Sequence, residues 1–195
     1  MNDALRLATA DSHGRIESLL QFEGDVTLDH YQRVMTGFTA FLLAWEPLIA
    51  QRLAPDARAW FAGRVRGGFA IRDLASLRLP QPAPARLRID LDGPAEVFGS
   101  MYVLEGSALG GQVIASRLAG QHGLGPSNGA SYFAGWGQET AAMWREFRER
   151  MAREVRDTPA NRARSCAAAV QTFEALIAVF GHALATGTSR ERAGA

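Results

Sequence analysis

A helix pattern interrupted by glycines, between Gly93 and Leu118, constrains the fold of this chain more than any other feature. Apolar residues recur there at steps of three and four, which is typical of one face of an α-helix. Pro94 adds a start signal near the first turn. The apolar face comprises Val97, Met101, Leu104, Ala108, Gly111, Ala115 and Leu118.

Four glycines lie inside this helix, at Gly99, Gly106, Gly110 and Gly111. Each costs about 1 kcal/mol relative to alanine in a helix interior, so together they cost about 4 kcal/mol. Gly99, Gly106 and Gly110 are seven and four residues apart, which places them on one helix face with almost no side chains. Such a face lets a neighbouring helix or a flat ligand approach the main chain, and the adjacent pair lets the helix bend.

The remainder of the chain is predicted to be helical, in a single all-α domain. Its 195 residues are 47% hydrophobic and 21% charged, which is typical of a globular domain with a substantial core. The net charge of +1 favours neither nucleic acid nor an anionic membrane. We find no apolar run near the ~20 residues that span a bilayer and no signal peptide. The single cysteine, Cys166, fits a reducing compartment, so we expect a cytoplasmic protein.

Caps and periodicity predict the helix boundaries. Thr27 is expected to cap the second helix, and Pro47 to end or kink it. The predicted helices cover Ala4 to Phe22, Thr27 onward, Pro55 to Leu77, the glycine-rich segment, Gly137 to Arg156, and Thr158 to Leu184. Three prolines make residues 78–92 a surface connection. We expect residues 1–185 to form the helical domain and 186–195 a flexible tail.

Among four histidines, His13 has the neighbours of a metal ligand. It lies near the apolar stripe of Leu5 and Ile16, and Glu17 follows one turn later, where a carboxylate can orient the imidazole. Taken alone, such a histidine is more often structural. Two other histidines, His30 and His122, are expected at the surface. His182 has no acidic neighbour one turn away.

His13 and the glycine face together indicate a flat, largely apolar, anionic ligand that carries a metal. Such a ligand needs an axial donor on one side, a helix without bulky side chains on the other, and cations at its rim for its carboxylates. His13, the glycine face and arginines on flanking helices meet these needs, and the ligand that has them is haem.

Several motifs resemble signatures of the haem oxygenase family. LRLATADSHGRIE (5–17) resembles the N-terminal signature of that family. YVLEGSALGGQV (102–113) resembles its distal-helix motif, especially in the bacterial branch that supplies biliverdin to bacteriophytochromes. YFAGWG (132–137) and WREFRERM (144–151) are also similar to that branch.

The resemblance implies a haem oxygenase-like helical bundle with a bent distal helix. It implies oxidative ring opening of haem b at a meso carbon, which gives biliverdin, carbon monoxide and ferrous iron. The reaction would use O2 and electrons from an external donor such as a ferredoxin, and a bacteriophytochrome would receive the biliverdin.

The resemblance also assigns roles to residues. His13 matches the proximal ligand of the haem iron, and Glu17 matches its partner. Arg6 and Arg148 fall where the family has basic residues near the propionates. The predicted catalytic set is Gly106, Ser107, Gly110 and Gly111, and we add Met101 to the cofactor-binding set.

Two positions depart from the animal-type pattern. Ser107 replaces an aspartate, and a serine forms hydrogen bonds but carries no charge, so the proton-delivery residue is open. Ala10 replaces a basic residue one turn before His13. The anchoring of the propionates is therefore expected to differ, and with it the meso carbon that is cut.

Three other interpretations are open at this point. A haem carrier or sensor would need the same residues but would hold haem unchanged with oxygen and a reductant. A helical enzyme acting on another small molecule, such as a thiamine-degrading enzyme, would need a nucleophile, and Cys166 has no histidine near it in sequence. A structural module whose glycines only permit close helix crossing would show no spectral change with haem.

Overall fold

Helices make up the regular structure of the chain. The computed structural model describes the backbone of residues 1–191 and the side chains of residues 1–185. In order, the helices are α1 (Asn2–Leu20), α2 (Leu28–Arg52), α3 (Pro55–Ala62), α4 (Gly67–Ser76), α5 (Pro94–His122), α6 (Ser131–Ala134), α7 (Thr140–Glu154) and α8 (Pro159–Glu191). A short 3-10 helix, Gly137–Glu139, precedes α7. No strand occurs in these residues, and the predicted all-α fold class is confirmed.

Helix α8 is the element on which the bundle is built. The helices α1, α2 and α5 each pack along it, and α7 packs against α5. At the crossing of α2 and α8, a Cβ added to Gly37 would come within 2.8 Å of the Phe180 ring, so only glycine allows this approach. The largest fully buried side chains in the core are Tyr31, Phe41, Phe98, Phe147 and Phe180.

Two predicted helix starts are confirmed by their capping contacts. The Thr27 hydroxyl oxygen accepts a hydrogen bond from the backbone N–H of His30 at 3.2 Å. The Thr158 hydroxyl oxygen accepts one from the backbone N–H of Asn161, also at 3.2 Å. Each cap satisfies an N–H group that the first turn of a helix leaves without a partner.

Two predicted boundaries differ in the structure. Helix α2 does not end at Pro47, one of the two outcomes expected there, because the buried Trp45 and neighbouring core residues hold both of its halves in the bundle. The third predicted helix is two helices, since the Glu46 carboxylate accepts hydrogen bonds from the backbone N–H groups of Arg66 and Gly67, at 2.6 and 2.8 Å. These contacts start α4 as a separate helix.

Residues 78–92, which we call the proline strap, cross the bundle without regular structure, as their prolines predict. The backbone N–H of Ala85 donates to the carbonyl of Ala40 on α2 at 2.8 Å. The backbone N–H of Asp90 donates to the side chain of Gln171 on α8 at 2.8 Å. The strap is therefore fixed to both helices. The flexible tail predicted over 186–195 lies outside the side chains that the structure describes.

Two helical segments, Leu28–Arg52 and Pro159–Ala185, are long and apolar enough to cross a membrane. We expected no such segment from the sequence. Both pack against other helices of the bundle, and the core helices of soluble proteins have the same length and composition. Their apolar character is therefore weak evidence for a membrane span.

Candidate functional site

The predicted site residues lie on α1 and α5, and we use the word groove for the region between the faces that carry Arg6 and His13 on α1 and Tyr102 and Gly106 on α5. Both helices pack along α8, but within the described chain they make few direct contacts with each other. The charges of Arg6 and Asp3 on α1 act on the Tyr102 hydroxyl of α5, so these residues lie near one another across the groove. Burial raises the pKa of Tyr102, and the nearby Arg6 guanidinium partly offsets that rise.

One side of α1 carries Arg6, Ala10, His13 and Glu17, which the helical spacing places together. The buried residues Leu5, Thr9, Ser12 and Ile16 form a neighbouring face, about a quarter turn away. The His13 side chain is 57% exposed, and its Nδ1 atom lies 3.2 Å from a carboxylate oxygen of Glu17. Its ring meets Phe173 of α8 edge-on, with ring centroids 5.9 Å apart. These contacts orient the imidazole, and its Nε2 atom has no hydrogen-bond partner among the described residues.

The helix face of α5 that carries Tyr102 also carries Gly106, Leu109 and Val113. Leu109 and Val113 are large apolar side chains with 42% and 64% of their surface exposed. Exposed apolar surface of this kind, next to bare backbone, is typical of a site that a ligand covers.

The four glycines of α5 have two different environments. A Cβ added to Gly99 would lie 2.2 Å from the Ser165 carbonyl oxygen, and one added to Gly111 would lie 2.9 Å from that of Phe133. Close helix packing therefore requires these two. A Cβ on Gly106 would meet only the Trp144 ring, at 3.7 Å, and one on Gly110 would meet nothing within 4 Å. The expected bare face is thus limited to Gly106 and Gly110.

Arg6 and Arg148 each lie near one member of an aromatic pair formed by Tyr102 and Trp144. The Arg148 guanidinium lies over the Trp144 ring, 5.7 Å from its centroid. The Trp144 ring in turn contacts that of Tyr102, with centroids 5.5 Å apart, and Tyr102 is the residue near Arg6. The two cations therefore flank an aromatic pair, an arrangement suited to the carboxylates of an otherwise apolar ligand.

Met101 and Gly111, two other predicted site residues, do not face the groove. Met101 is fully buried in the core, so it has no surface with which to contact a ligand, and its assignment to the cofactor set is not kept. Gly111 faces the main chain of Phe133. The Ser107 hydroxyl donates to the Leu104 carbonyl at 2.8 Å and accepts a hydrogen bond from Arg66 at 3.0 Å.

Sequence reasoning missed two buried arginines that hold α5. Arg64 donates to both carboxylate oxygens of Glu105, at 2.9 and 2.8 Å. Arg66 donates to the Leu104 carbonyl and to Ser107. The sequence feature that could have indicated them is the pair of arginines in AGRVRGG (62–68), within an otherwise apolar helix pattern. Buried cations need partners, and here partners lie on both sides of Gly106 in the sequence, at Leu104, Glu105 and Ser107.

Two histidines expected at the surface are partly buried and structural. The His30 Nε2 atom lies 2.7 Å from the Leu20 carbonyl oxygen, which ties α2 to the end of α1. The His122 Nε2 atom contacts the Val26 carbonyl in the same way. Because these imidazoles are engaged, they are poor candidates for metal ligands.

Comparison with known proteins identifies the fold and the family. A heme oxygenase from Neisseria meningitidis, solved with NO and CO bound, has a TM-score of 0.74 over 92% of this chain and 89% of that chain, at 19% identity. This likeness shows the fold. No curated protein sequence matches the chain. The family model "Heme oxygenase" matches residues 81–182, slightly more than half of the chain and including α5 and α7. The chain therefore belongs to the haem oxygenase family of haem-degrading enzymes.

Proposed function

We propose that haem b binds in the groove between α1 and α5 and is opened there at a meso carbon. The products would be biliverdin, carbon monoxide and ferrous iron, and the reaction would use O2 and electrons from an external reductant. The observation that carries this proposal is the placement of His13 and the bare backbone at Gly106 and Gly110 on the two helices that border one groove.

His13 is the proposed proximal ligand. Haem, when bound, supplies an iron that can activate O2 and needs one neutral imidazole as its protein donor. Because the Nδ1 atom of His13 contacts the Glu17 carboxylate, the Nδ1–H tautomer is favoured and the lone pair is left on Nε2. Phe173 limits rotation of the ring.

Gly106 and Gly110 are proposed to line the opposite, distal side. Without side chains there, the backbone of α5 can lie against a flat macrocycle and leave little space above it. Leu109 and Val113 would lose exposed apolar surface on binding, which contributes about 25 cal/mol per Å². The fit between chain and ligand is therefore steric and hydrophobic on this side.

Arg6 and Arg148 are proposed to bind the propionates at one rim. Both guanidinium groups flank the pair formed by Tyr102 and Trp144. Ala10 offers no cation, so anchoring would depend on these two arginines alone. The rim contacts would determine how the macrocycle is rotated in the groove, and hence which meso carbon is cut.

Ser107 is proposed to order water beside the distal backbone. Its hydroxyl proton is engaged by the Leu104 carbonyl, and its oxygen accepts from Arg66 and has capacity for one more donor. A water held by that oxygen would lie one residue from Gly106. In this role, Ser107 would take the place of the charged aspartate of the animal-type pattern.

The proposed partners follow from the family branch that the motifs resemble. A ferredoxin or a similar protein would supply electrons, and a bacteriophytochrome would receive the biliverdin. We place these events in the cytoplasm. The single cysteine and near-neutral net charge are consistent with that location.

A non-catalytic haem carrier or sensor is the remaining alternative, because it would use the same groove. Membership of the haem oxygenase family argues against a thiamine-degrading enzyme or a purely structural module. The deciding experiment adds hemin, then O2 with ascorbate or a ferredoxin system, and records the visible spectrum. Turnover would replace the haem bands with those of a bile pigment. A carrier would keep the haem bands unchanged.

A further inference from the structure

A second cavity lies on another side of α8, between α2, α8 and the proline strap. Its volume is about 590 Å³, which is in the range of sites for small organic ligands. None of its lining residues lies on α1 or α5. Nothing in the haem reaction proposed above uses it.

Small residues from α2 and α8 form the apolar part of this cavity. Gly37 allows α2 to approach the ring of Phe180 closely, and Ala40 and Val179 line the space beside that crossing. The strap closes a further side with residues 82–86, where its backbone is hydrogen-bonded to Ala40. The cavity is therefore held by a fixed frame of three elements.

The charges that line the cavity come from basic residues. Arg33, Arg86 and His182 line it, and no carboxylate is among the lining residues in the described part of the chain. One nitrogen of the Arg33 guanidinium pairs with Asp29 at 2.5 Å, but the Nε atom of Arg33 is buried and has no hydrogen-bond partner there. Arg86 is exposed and has no ion-pair partner among the described residues, so the cavity presents a cation that no carboxylate of the described chain neutralises.

We propose that this cavity binds a small amphipathic carboxylate, with its apolar body against Ala40 and Val179 and its carboxylate on Arg33 and Arg86. The apolar lining and the unpaired Arg86 together favour this class over neutral apolar compounds, which would make no charge-assisted contact with Arg86 or Arg33. They also favour it over inorganic anions, which would leave the apolar walls uncovered.

Laurate is a suitable probe, used below its micelle-forming concentration, with dodecanol as the neutral analogue. Nuclear magnetic resonance of the labelled protein locates the site directly. Laurate is expected to shift the amide signals of Gly37, Ala40 and Val179, and to leave those of His13 and Gly110 unchanged. Arg33→Gln and Arg86→Gln should each weaken binding about tenfold, because each removes a charge-assisted contact.

Arg88→Gln is the matched control, since Arg88 is exposed on the same strap but does not line the cavity. It should leave laurate affinity within about twofold. If Arg33→Gln does not fold, the exposed Arg86 still gives the comparison. The proposal is overturned if laurate does not bind saturably, if its shifts fall outside the cavity, if dodecanol binds equally well, or if both cavity variants bind as the wild type does.

Discussion

The Arg66 guanidinium, in the break between α3 and α4, donates a hydrogen bond to the Ser107 hydroxyl oxygen on α5 at 3.0 Å. The same group contacts the Leu104 carbonyl and lies over the Tyr132 ring, 4.9 Å from its centroid. A buried cation therefore holds α5 at the residues that flank Gly106. The position of the proposed distal backbone on α5 therefore depends on the side chain of Arg66, which lies between α3 and α4.

Arg66→Leu is expected to destabilise the protein by about 1–3 kcal/mol, since it removes donors from buried acceptors. It should also lower turnover at matched hemin loading by about tenfold or more, because small displacements of positioning groups are costly. Urea unfolding and bilirubin-coupled turnover would measure the two effects. Arg72→Leu, at an exposed position of α4, is the control. Turnover equal to that of the control would remove Arg66 from the positioning role.

Gly110→Ala and Gly99→Ala are expected to have opposite effects on stability. Alanine at Gly110 meets open space and should stabilise the helix by about 0.5–1 kcal/mol. Alanine at Gly99 would approach the Ser165 carbonyl and should destabilise by about 1–3 kcal/mol or more. Chemical denaturation measures both changes, and a hemin titration should show weaker binding for Gly110→Ala. Unaltered hemin affinity would argue against a ligand at Gly110.

These glycines show which features of the candidate site could be predicted from the sequence. Spacing alone correctly places Gly99, Gly106 and Gly110 near one face of a helix, and it predicts that something approaches that face. It cannot tell which glycine meets another helix, because that depends on where α8 crosses α5. The structure shows that Ser165 takes the space at Gly99 and leaves Gly110 open.

The boundary errors have the same origin. Local pattern predicts one helix over 55–77, whereas Glu46, distant in sequence, accepts the backbone N–H groups that start α4. Long-range acceptors of this kind cannot be read from periodicity. In contrast, the contact between His13 and Glu17 lies within one helical turn, so the sequence could predict it.

Arg148→Gln is expected to change which biliverdin isomer forms and to leave stability within about 0.5 kcal/mol, because the side chain is exposed at the rim. Its guanidinium lies over Trp144 and is a proposed propionate contact. Chromatographic separation of the isomers measures the change. Arg145→Gln, at an exposed position three residues earlier, should give the wild-type distribution. Identical distributions for both variants would show that Arg148 does not orient the substrate.

Glu46 should make stability depend on pH. Burial raises the pKa of its carboxyl above the ordinary value of 4.5, although hydrogen bonds from Gly67 and Arg66 oppose the rise. The folded state therefore binds this proton more tightly than the unfolded state. The free energy of unfolding contributed by Glu46 should be fully present below about pH 4.5 and should be lost as pH rises through the raised pKa.

Glu46→Gln tests this effect, because both backbone donors bind Oε1, an acceptor that glutamine keeps. Urea unfolding from about pH 4 to about pH 8 should show the stability of the wild type falling relative to that of the variant as pH rises. Burial also raises the pKa of Asp73. Because Asp73 is present in both proteins, its contribution cancels in the difference between the unfolding free energies of the wild type and the variant. A difference that is independent of pH would contradict the assignment.

The central claim is that His13 on α1 holds the haem iron opposite the bare backbone of α5. Its most direct test is the visible spectrum and turnover of the hemin complex of His13→Ala, with and without added imidazole, beside a His182→Ala control. We predict that His13→Ala loses the wild-type spectrum and bile-pigment formation, that imidazole restores them, and that His182→Ala behaves as the wild type. A wild-type spectrum and normal turnover of His13→Ala without imidazole would contradict the claim.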